Sequence, residues 1–390
     1  MKKRRVPTTN VPIYRDSGFI LGDLNTIKKA FKDEKDHFRS PENYIYSRYR
    51  NPTVVAAEEG IMAVEECKWA LLTQSGMSAI DVALSIFQRG DETRPWLFFS
   101  EIYGGTNHYI DRVLIFRRGV DIKRFYPSGD QYDLKELEKM LDKLKPEFVY
   151  FEAVSNPMLV VADCEAIIKM AKEKGAAVIV DNTFATPYLW QPLKDGADIV
   201  IHSATKYLAG HGDITAGVVC GNDLQMEKDA VEYRKYTGHM LSPDDAHRLG
   251  AQLKTFNVRM ERHCSNAFKL AQMLANHKKI EQVHYPGLKT HPTHEKAKKL
   301  FKGKGFGGMI TFDLKAEGPE KKLEAAKTFI AAVADYIPLI PSLGNPETIL
   351  LHVESVWGDK YRLPGMIRLS VGIEGYEHLE AVILKGLEQI

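Results

Sequence analysis

Short apolar runs alternate with stretches of helical spacing through the middle of the chain. Trp69–Thr73 reads as a strand, and after it Ile80, Ala83, Leu84 and Phe87 recur at the i, i+3, i+4, i+7 spacing of a helix over Ser78–Phe87. Trp96–Phe99 and Phe148–Phe151 are further short apolar runs. Ala166–Lys174 reads as a helix stopped by Gly175, Ala176–Val180 as a strand ending at Asp181, and Asp198–Ile201 as another leading to Ser203. This alternation predicts an α/β fold with a mostly parallel sheet and helices on both faces. After about Pro243 the texture changes. A long helical stretch runs from Asp244 to about Asn276, and a Pro/Gly/His-rich loop spans His284–His294. Then come strand-like Met309–Leu314, a helix over Leu323–Val333, strand-like Ile367–Val371 and a closing helix over Glu377–Leu387. The pattern predicts an N-terminal arm without clear periodicity over residues 1–55, a large domain over 56–250 and a smaller C-terminal α/β domain over 251–390.

The polar residues with chemical promise fall just after the strands: Gln74-Ser75-Gly76-Met77, Glu152, Asp181 and Ser203–Lys206. In open α/β sheets ligands bind beyond the carboxyl ends of the strands. Lys206, flanked by Ser203 and Thr205, suits an imine with an aldehyde cofactor whose phosphate the hydroxyls bind. Taken alone, such a cluster is a weak signal, since most Ser/Thr/Lys clusters are solvated loops. Asp181 suits the protonated nitrogen of a pyridine ring, and equally a helix N-cap followed by Asn182 and Thr183. Gly76 and Met77 open a helix after a strand, where free N–H groups and the helix dipole favour a phosphate.

Composition narrows the picture further. The formal charge of +2 argues neither for nor against a nucleic-acid partner, and no nucleic acid is expected. No apolar run approaches the ~18 residues of a membrane span. The basic start, Met1-Lys2-Lys3-Arg4-Arg5, is followed by Pro7, Thr8, Thr9 and Asn10 rather than an apolar core, and reads as a solvated arm, not an export signal. Cys67, Cys164, Cys220 and Cys264 are scattered, which suits four reduced thiols in a cytoplasmic enzyme. His291 and His294 invite a metal reading, but Pro292 lies between them and no further pair completes a site. They read as a surface loop, and no metal is expected.

Together these segments resemble the Cys/Met-metabolism family of pyridoxal-phosphate (PLP) enzymes, which includes cystathionine γ-synthase, cystathionine β- and γ-lyases, methionine γ-lyase and O-acylhomoserine sulfhydrylases. The matching stretches are Tyr46-Ser47-Arg48-x-x-Asn51-Pro52-Thr53, Ser75-Gly76-Met77, Tyr103-Gly104-Gly105-Thr106, Asn156-Pro157, Val180-Asp181-Asn182-Thr183, Ser203-x-Thr205-Lys206-Tyr207 with Gly210-His211, Arg259-Met260-Glu261-Arg262-His263, Ser342-Leu343-Gly344 and Arg368-Leu369-Ser370-Val371-Gly372. They occur in family order from about residue 12 to the C-terminus. The resemblance implies PLP fold type I, the aspartate aminotransferase-like architecture. It also implies Lys206 as the Schiff-base lysine and main proton shuttle, Asp181 on the pyridine nitrogen, and Tyr103 stacked on the ring and active in acid/base steps. Gly76, Met77, Ser203 and Thr205 would bind the phosphate, and Tyr46 and Arg48 would reach the phosphate of a neighbouring subunit's cofactor. Arg368 would grip the substrate carboxylate, helped by Ser342 and Asn156; a guanidinium is a bidentate carboxylate clamp. A homo-oligomer follows, a tetramer built from active dimers.

The resemblance leaves three functions to weigh: a C–S lyase of γ-elimination type, a γ-replacement enzyme acting on an activated homoserine, and a non-catalytic PLP-binding paralogue. The intact set of Lys206, Asp181, Tyr103 and Arg368 argues against the third. Tyr103-Gly104-Gly105-Thr106-Asn107 looks more like cystathionine γ-lyases and γ-synthases than methionine γ-lyases, which usually have Cys where Gly105 stands. Before Ser342-Leu343-Gly344, many cystathionine-handling members carry a Glu; here Pro341 stands, with no charge for a distal amine. Glu354 and Trp357 lie where many relatives carry a Met-Thr-His segment, and sequence does not place them.

Overall fold

The structure, a computed structural model, describes residues 9–36, 39, 41–90, 93–128 and 131–390. The basic start of the chain, up to Thr8, lies outside the described residues. Seven strands form the larger sheet: β1 (Trp69–Thr73), β2 (Trp96–Phe99), β3 (Ile122–Phe125), β4 (Phe148–Glu152), β5 (Ala177–Asp181), β6 (Ile199–His202) and β7 (Gly217–Gly221). Their order is β1-β7-β6-β5-β4-β2-β3; β6, β5, β4, β2 and β3 run parallel, and β7 is antiparallel to both its neighbours. β4, β5 and β6 are runs of aromatic and β-branched residues, buried almost throughout, because helices cover both faces of a parallel sheet. The second sheet is antiparallel throughout, in the order β10 (Ile349–His352), β11 (Met366–Ser370), β9 (Met309–Leu314), β8 (Ile280–His284).

Each sheet has its own apolar core. The helix Phe256–Ala275 joins them: Phe256, Met260 and Cys264 pack in the first, and Ala267, Leu270, Ala271 and Leu274 in the second. Buried Glu58 ties the start of the chain to the larger sheet. It accepts from the Leu72 amide at 3.0 Å and pairs with Arg50 at 2.9 Å and Arg234 at 2.8 Å. The carboxylate is thus charge-paired from both sides, which a buried ion needs.

Several sequence expectations change. The helical stretch from Asp244 to Asn276 is two helices, Pro243–Gln252 and Phe256–Ala275, joined by a 3-10 turn at Leu253–Thr255. The break has a partner: the Gln252 carbonyl accepts from Arg259 Nη2 at 3.0 Å and from the Thr255 hydroxyl at 3.1 Å, so it no longer needs a helical acceptor role. The arm contains an amphipathic helix, Leu24–Asp36, whose Leu24, Ile27 and Phe31 are diluted by Lys28, Lys29, Lys32 and Lys35 and so escape a periodicity reading. The His284–His294 loop is not a surface loop. Tyr285 and His291 are buried, and His291 Nδ1 lies 3.1 Å from the Thr293 hydroxyl. Among the described residues, no three His, Cys, Asp or Glu side chains are grouped to hold a metal, no helix is long and apolar enough to cross a membrane, and all four cysteines are free.

One turn behind β6 illustrates how tightly the larger domain is drawn to the helix joint. Arg259 donates to the carbonyls of Tyr207 at 2.8 Å and Leu208 at 3.1 Å, and Gly210 sits at φ +65° against that guanidinium. A Cβ at position 210 would overlap Arg259. Gly210→Ala is therefore expected to lower stability by at least ~1–2 kcal/mol from the left-handed backbone alone. Urea unfolding measures it, and an unchanged midpoint would show that the turn does not depend on this contact.

Candidate active site

The carboxyl ends of β4, β5 and β6 open onto a cavity of about 280 Å³. The parallel register sets Glu152 opposite Asp181 and Asp181 opposite Ile201, two residues before Ser203. Ten of the twelve residues singled out from sequence line this cavity: Gly76, Met77, Tyr103, Asn156, Asp181, Ser203, Thr205, Lys206, Ser342 and Arg368. Tyr46 and Arg48 lie elsewhere. Arg48 donates to the Lys235 carbonyl at 2.5 Å and stacks over the rings of Tyr46 and Tyr49, and Tyr46 is exposed.

Lys206 Nζ donates to Ser342 Oγ at 2.8 Å. Burial, and then the nearby Arg368 guanidinium, push its pKa down to about 8. Arg368 stands in the middle of β11, between Thr311 and Leu351 on its neighbours. Its Nη1 donates to Asn156 Oδ1 at 2.9 Å and its Nη2 to the Ser342 carbonyl at 2.8 Å, while buried Nε has no partner. Among the described residues no carboxylate pairs with it, and burial lowers its pKa to about 10. Asn156 thus orients the guanidinium. Trp357 covers Arg368, its ring centre 5.7 Å from the guanidinium carbon.

Asp181 is not a helix cap. Its Oδ1 accepts from the Thr183 amide at 3.0 Å and the Thr183 hydroxyl at 2.6 Å, and its Oδ2 from the Tyr150 hydroxyl at 3.3 Å. Burial raises its pKa against these donors. Glu152 is raised further, by burial and then by the Asp181 carboxylate, and its Oε1 accepts from the Tyr103 amide at 2.5 Å. Tyr150 had no sequence assignment. Its signal was strand periodicity: two residues before Glu152, it falls on the same face of β4.

The donor set fits pyridoxal phosphate. A buried lysine of lowered pKa is available to its aldehyde. A buried carboxyl of raised pKa, already holding two hydroxyls, regains its charge beside a cationic ring nitrogen. The helix Gly76–Ser85 begins at the cavity with Ser75 as its N-cap, so its first-turn N–H groups face an anion. A Cβ at Gly76 would lie 2.9 Å from that of Ser203, so glycine alone lets this helix end close on Ser203. Thr205 is the exception: its hydroxyl exchanges both hydrogen bonds with the backbone of Ala216, at 3.1 and 2.9 Å, and would have to release one for a phosphate.

The sequence and the fold also match those of known proteins. Residues 1–388 match the model of the family described as Cys/Met metabolism PLP-dependent enzymes. The chain is 39% identical over 395 residues to an L-methionine gamma-lyase of Fusobacterium nucleatum subsp. polymorphum, covering 98% of this chain and 94% of the relative. It is 38% identical to a cystathionine beta-lyase of Lactococcus lactis subsp. cremoris, covering 97% and 94%. The crystal structure of a cystathionine gamma synthase from Xanthomonas oryzae pv. oryzae, in complex with aminoacrylate and cysteine, superposes with a TM-score of 0.85 at 30% identity, covering 98% and 93%.

The free amine is the form that captures an aldehyde. The rate at which cofactor-free protein takes up pyridoxal phosphate should therefore rise with pH and level off above about 8. In Arg368→Gln the midpoint should move upward, because a cationic neighbour no longer disfavours the charged amine. Borohydride reduction of loaded protein should leave the cofactor on the peptide containing Lys206, read by mass spectrometry. A stable adduct on another lysine in wild type would sink the assignment.

Proposed function

This chain belongs to the Cys/Met-metabolism PLP-dependent enzymes, and we propose that it cleaves the C–S bond of a sulfur amino acid by γ-elimination. The observation that carries this reading is the cavity's chemistry. Its acidic residues are Glu152 and Asp181, both at strand ends and both already engaged, whereas Val154, Phe184, Pro341 and Leu343 form apolar wall. Such a wall takes a small neutral γ-substituent and offers no carboxylate to a distal ammonium; a buried polar group left unpaired costs ~1–3 kcal/mol. The relative named a methionine gamma-lyase supports this reading. The likeness to a cystathionine gamma synthase supports the second one, γ-replacement on an activated homoserine, which the same residues serve when a thiol takes the place of the leaving group.

When bound, pyridoxal phosphate supplies an aldehyde that joins the substrate amine and a ring that takes up electrons from a broken C–H bond. The remaining work falls to side chains. Arg368, with Nε unpaired and one hydrogen left on each terminal nitrogen, grips the substrate carboxylate. Lys206, with its pKa near 8, removes and returns protons at neutral pH. Asp181, oriented by Thr183 and Tyr150, keeps the ring nitrogen cationic. Tyr103, anchored through its amide to Glu152, gives a proton to the departing sulfur. The C–S bond breaks, the sulfur leaves as a thiol, and water releases ammonia and a 2-oxo acid. Four free cysteines suit a reducing compartment, and we read the enzyme as cytoplasmic.

Two tests follow. Methionine, homocysteine and an O-acylhomoserine should be handled at least as well as cystathionine, and Pro341→Glu should raise kcat/KM for cystathionine roughly tenfold or more by supplying the missing partner. A wild-type preference for cystathionine above about tenfold, unchanged by the substitution, would mean that another group reads the distal amine. The second test concerns assembly. We propose that Tyr46 and Arg48, outside their own cavity, serve that of a neighbouring subunit in a dimer-built tetramer. Mixing inactive Arg48→Ala with inactive Lys206→Ala subunits should then restore activity; absence of complementation, or an active monomer in ultracentrifugation, counts against it.

A further inference from the structure

The loop between β2 and the helix Gly104–Tyr109 carries Tyr103, which is 53% exposed at the cavity. Two residues earlier, Glu101 is reached by a segment of the small domain. The Tyr361 hydroxyl donates to its Oε2 at 2.7 Å, and Lys360 Nζ lies 3.2 Å from its Oε1. The same segment opens with the helix Val353–Trp357. Trp357 covers the Arg368 guanidinium and meets the Tyr361 ring edge-on, with centres 6.5 Å apart. One short stretch of chain therefore touches both the arginine that lines the cavity and the loop that holds Tyr103.

We propose that Tyr361 and Glu101 form a latch between the two domains that positions Tyr103, and that Trp357 joins this latch to Arg368. Tyr361 is a positioning residue that never enters the cavity. The inference rests on the roles given above to Tyr103 and Arg368. The other ties on the loop come from the large domain itself: Asn107 donates to the carbonyls of Ser100 at 3.2 Å and Ile102 at 3.3 Å, and Glu152 holds the Tyr103 amide. They shape the loop but do not connect it to the sheet that bears Arg368; Glu101 does. The connection also holds across working pH. Burial and the adjacent Glu101 push the Tyr361 hydroxyl well above the ordinary phenol range, so it remains a donor. A neutral hydroxyl on a carboxylate is a strong hydrogen bond, yet one such bond is a small part of the fold. Breaking it should disturb the loop and spare the protein.

The test uses the cofactor-loaded enzyme and the sulfur amino-acid panel. Tyr361→Phe should keep wild-type cofactor absorbance and melting temperature while kcat falls on the order of tenfold, the cost of one charge-assisted hydrogen bond, with KM little changed. Glu101→Gln should fall by at least as much, since Lys360 loses its partner as well. In a Tyr103→Phe background, Tyr361→Phe should cost nothing further, because the latch acts through the Tyr103 hydroxyl; a merely structural contact would cost the same in both backgrounds. Wild-type kcat in Tyr361→Phe, or equal losses in the two backgrounds, overturns the latch. Failure of wild type itself on every member of the panel would overturn the assigned function instead, so the two failures are distinguishable.

Discussion

Two cationic side chains, Lys206 and Arg368, share one cavity, and among the described residues neither has a carboxylate partner there. Burial makes both charges costly, and Arg368 adds to the cost on Lys206. Lys206 yields, its pKa falling to about 8, while the guanidinium of Arg368 keeps its proton and is held by two neutral acceptors. Such a cavity favours anions: a phosphate at the helix end, a carboxylate at the arginine. A lysine whose pKa is brought down to about 8 and an arginine awaiting an acid both follow from placing two cations in one buried site, and the fold is arranged to impose it.

The arrangement draws on both sheets. The parallel strands bring Glu152, Asp181 and the Ser203–Lys206 turn to one edge, and the antiparallel sheet delivers Arg368 from the middle of β11. Ser342, from the loop before β10, bridges them, taking a hydrogen bond from Lys206 on its hydroxyl and one from Arg368 on its carbonyl. Acidity is sorted the same way. Glu152 and Asp181 lie side by side; burial, and then the Asp181 carboxylate, raises Glu152 further, while Thr183 and Tyr150 donate to Asp181 and hold its pKa back.

Much of the scaffold was legible along the chain. β1, β2 and β9 fall where their apolar runs predict, because fully buried strands need no partner to declare themselves. Less legible were elements whose stability comes from elsewhere. β7 is a short glycine-bounded run that becomes a strand only between β1 and β6. The break at Leu253–Thr255 depends on Arg259 taking a carbonyl, and the burial of His291 depends on its neighbours rather than on the prolines and glycines around it. The lysine-diluted helix Leu24–Asp36 presents too weak a stripe to be read.

By itself the sequence determined the chemical inventory. A lysine flanked by hydroxyls after a strand, an aspartate ending another, a Ser-Gly opening a helix and an arginine within an apolar strand were all visible, because strand ends and helix starts are local features with local signals. The tertiary structure decided what those groups meet. Residues 101 and 361 share one hydrogen bond, 206 and 342 another, and 150 and 181 a third, across separations that periodicity does not encode. Pairings of that kind are set by how two sheets close on each other, and through them by the burial that moves a lysine's pKa and leaves an arginine's Nε without a partner.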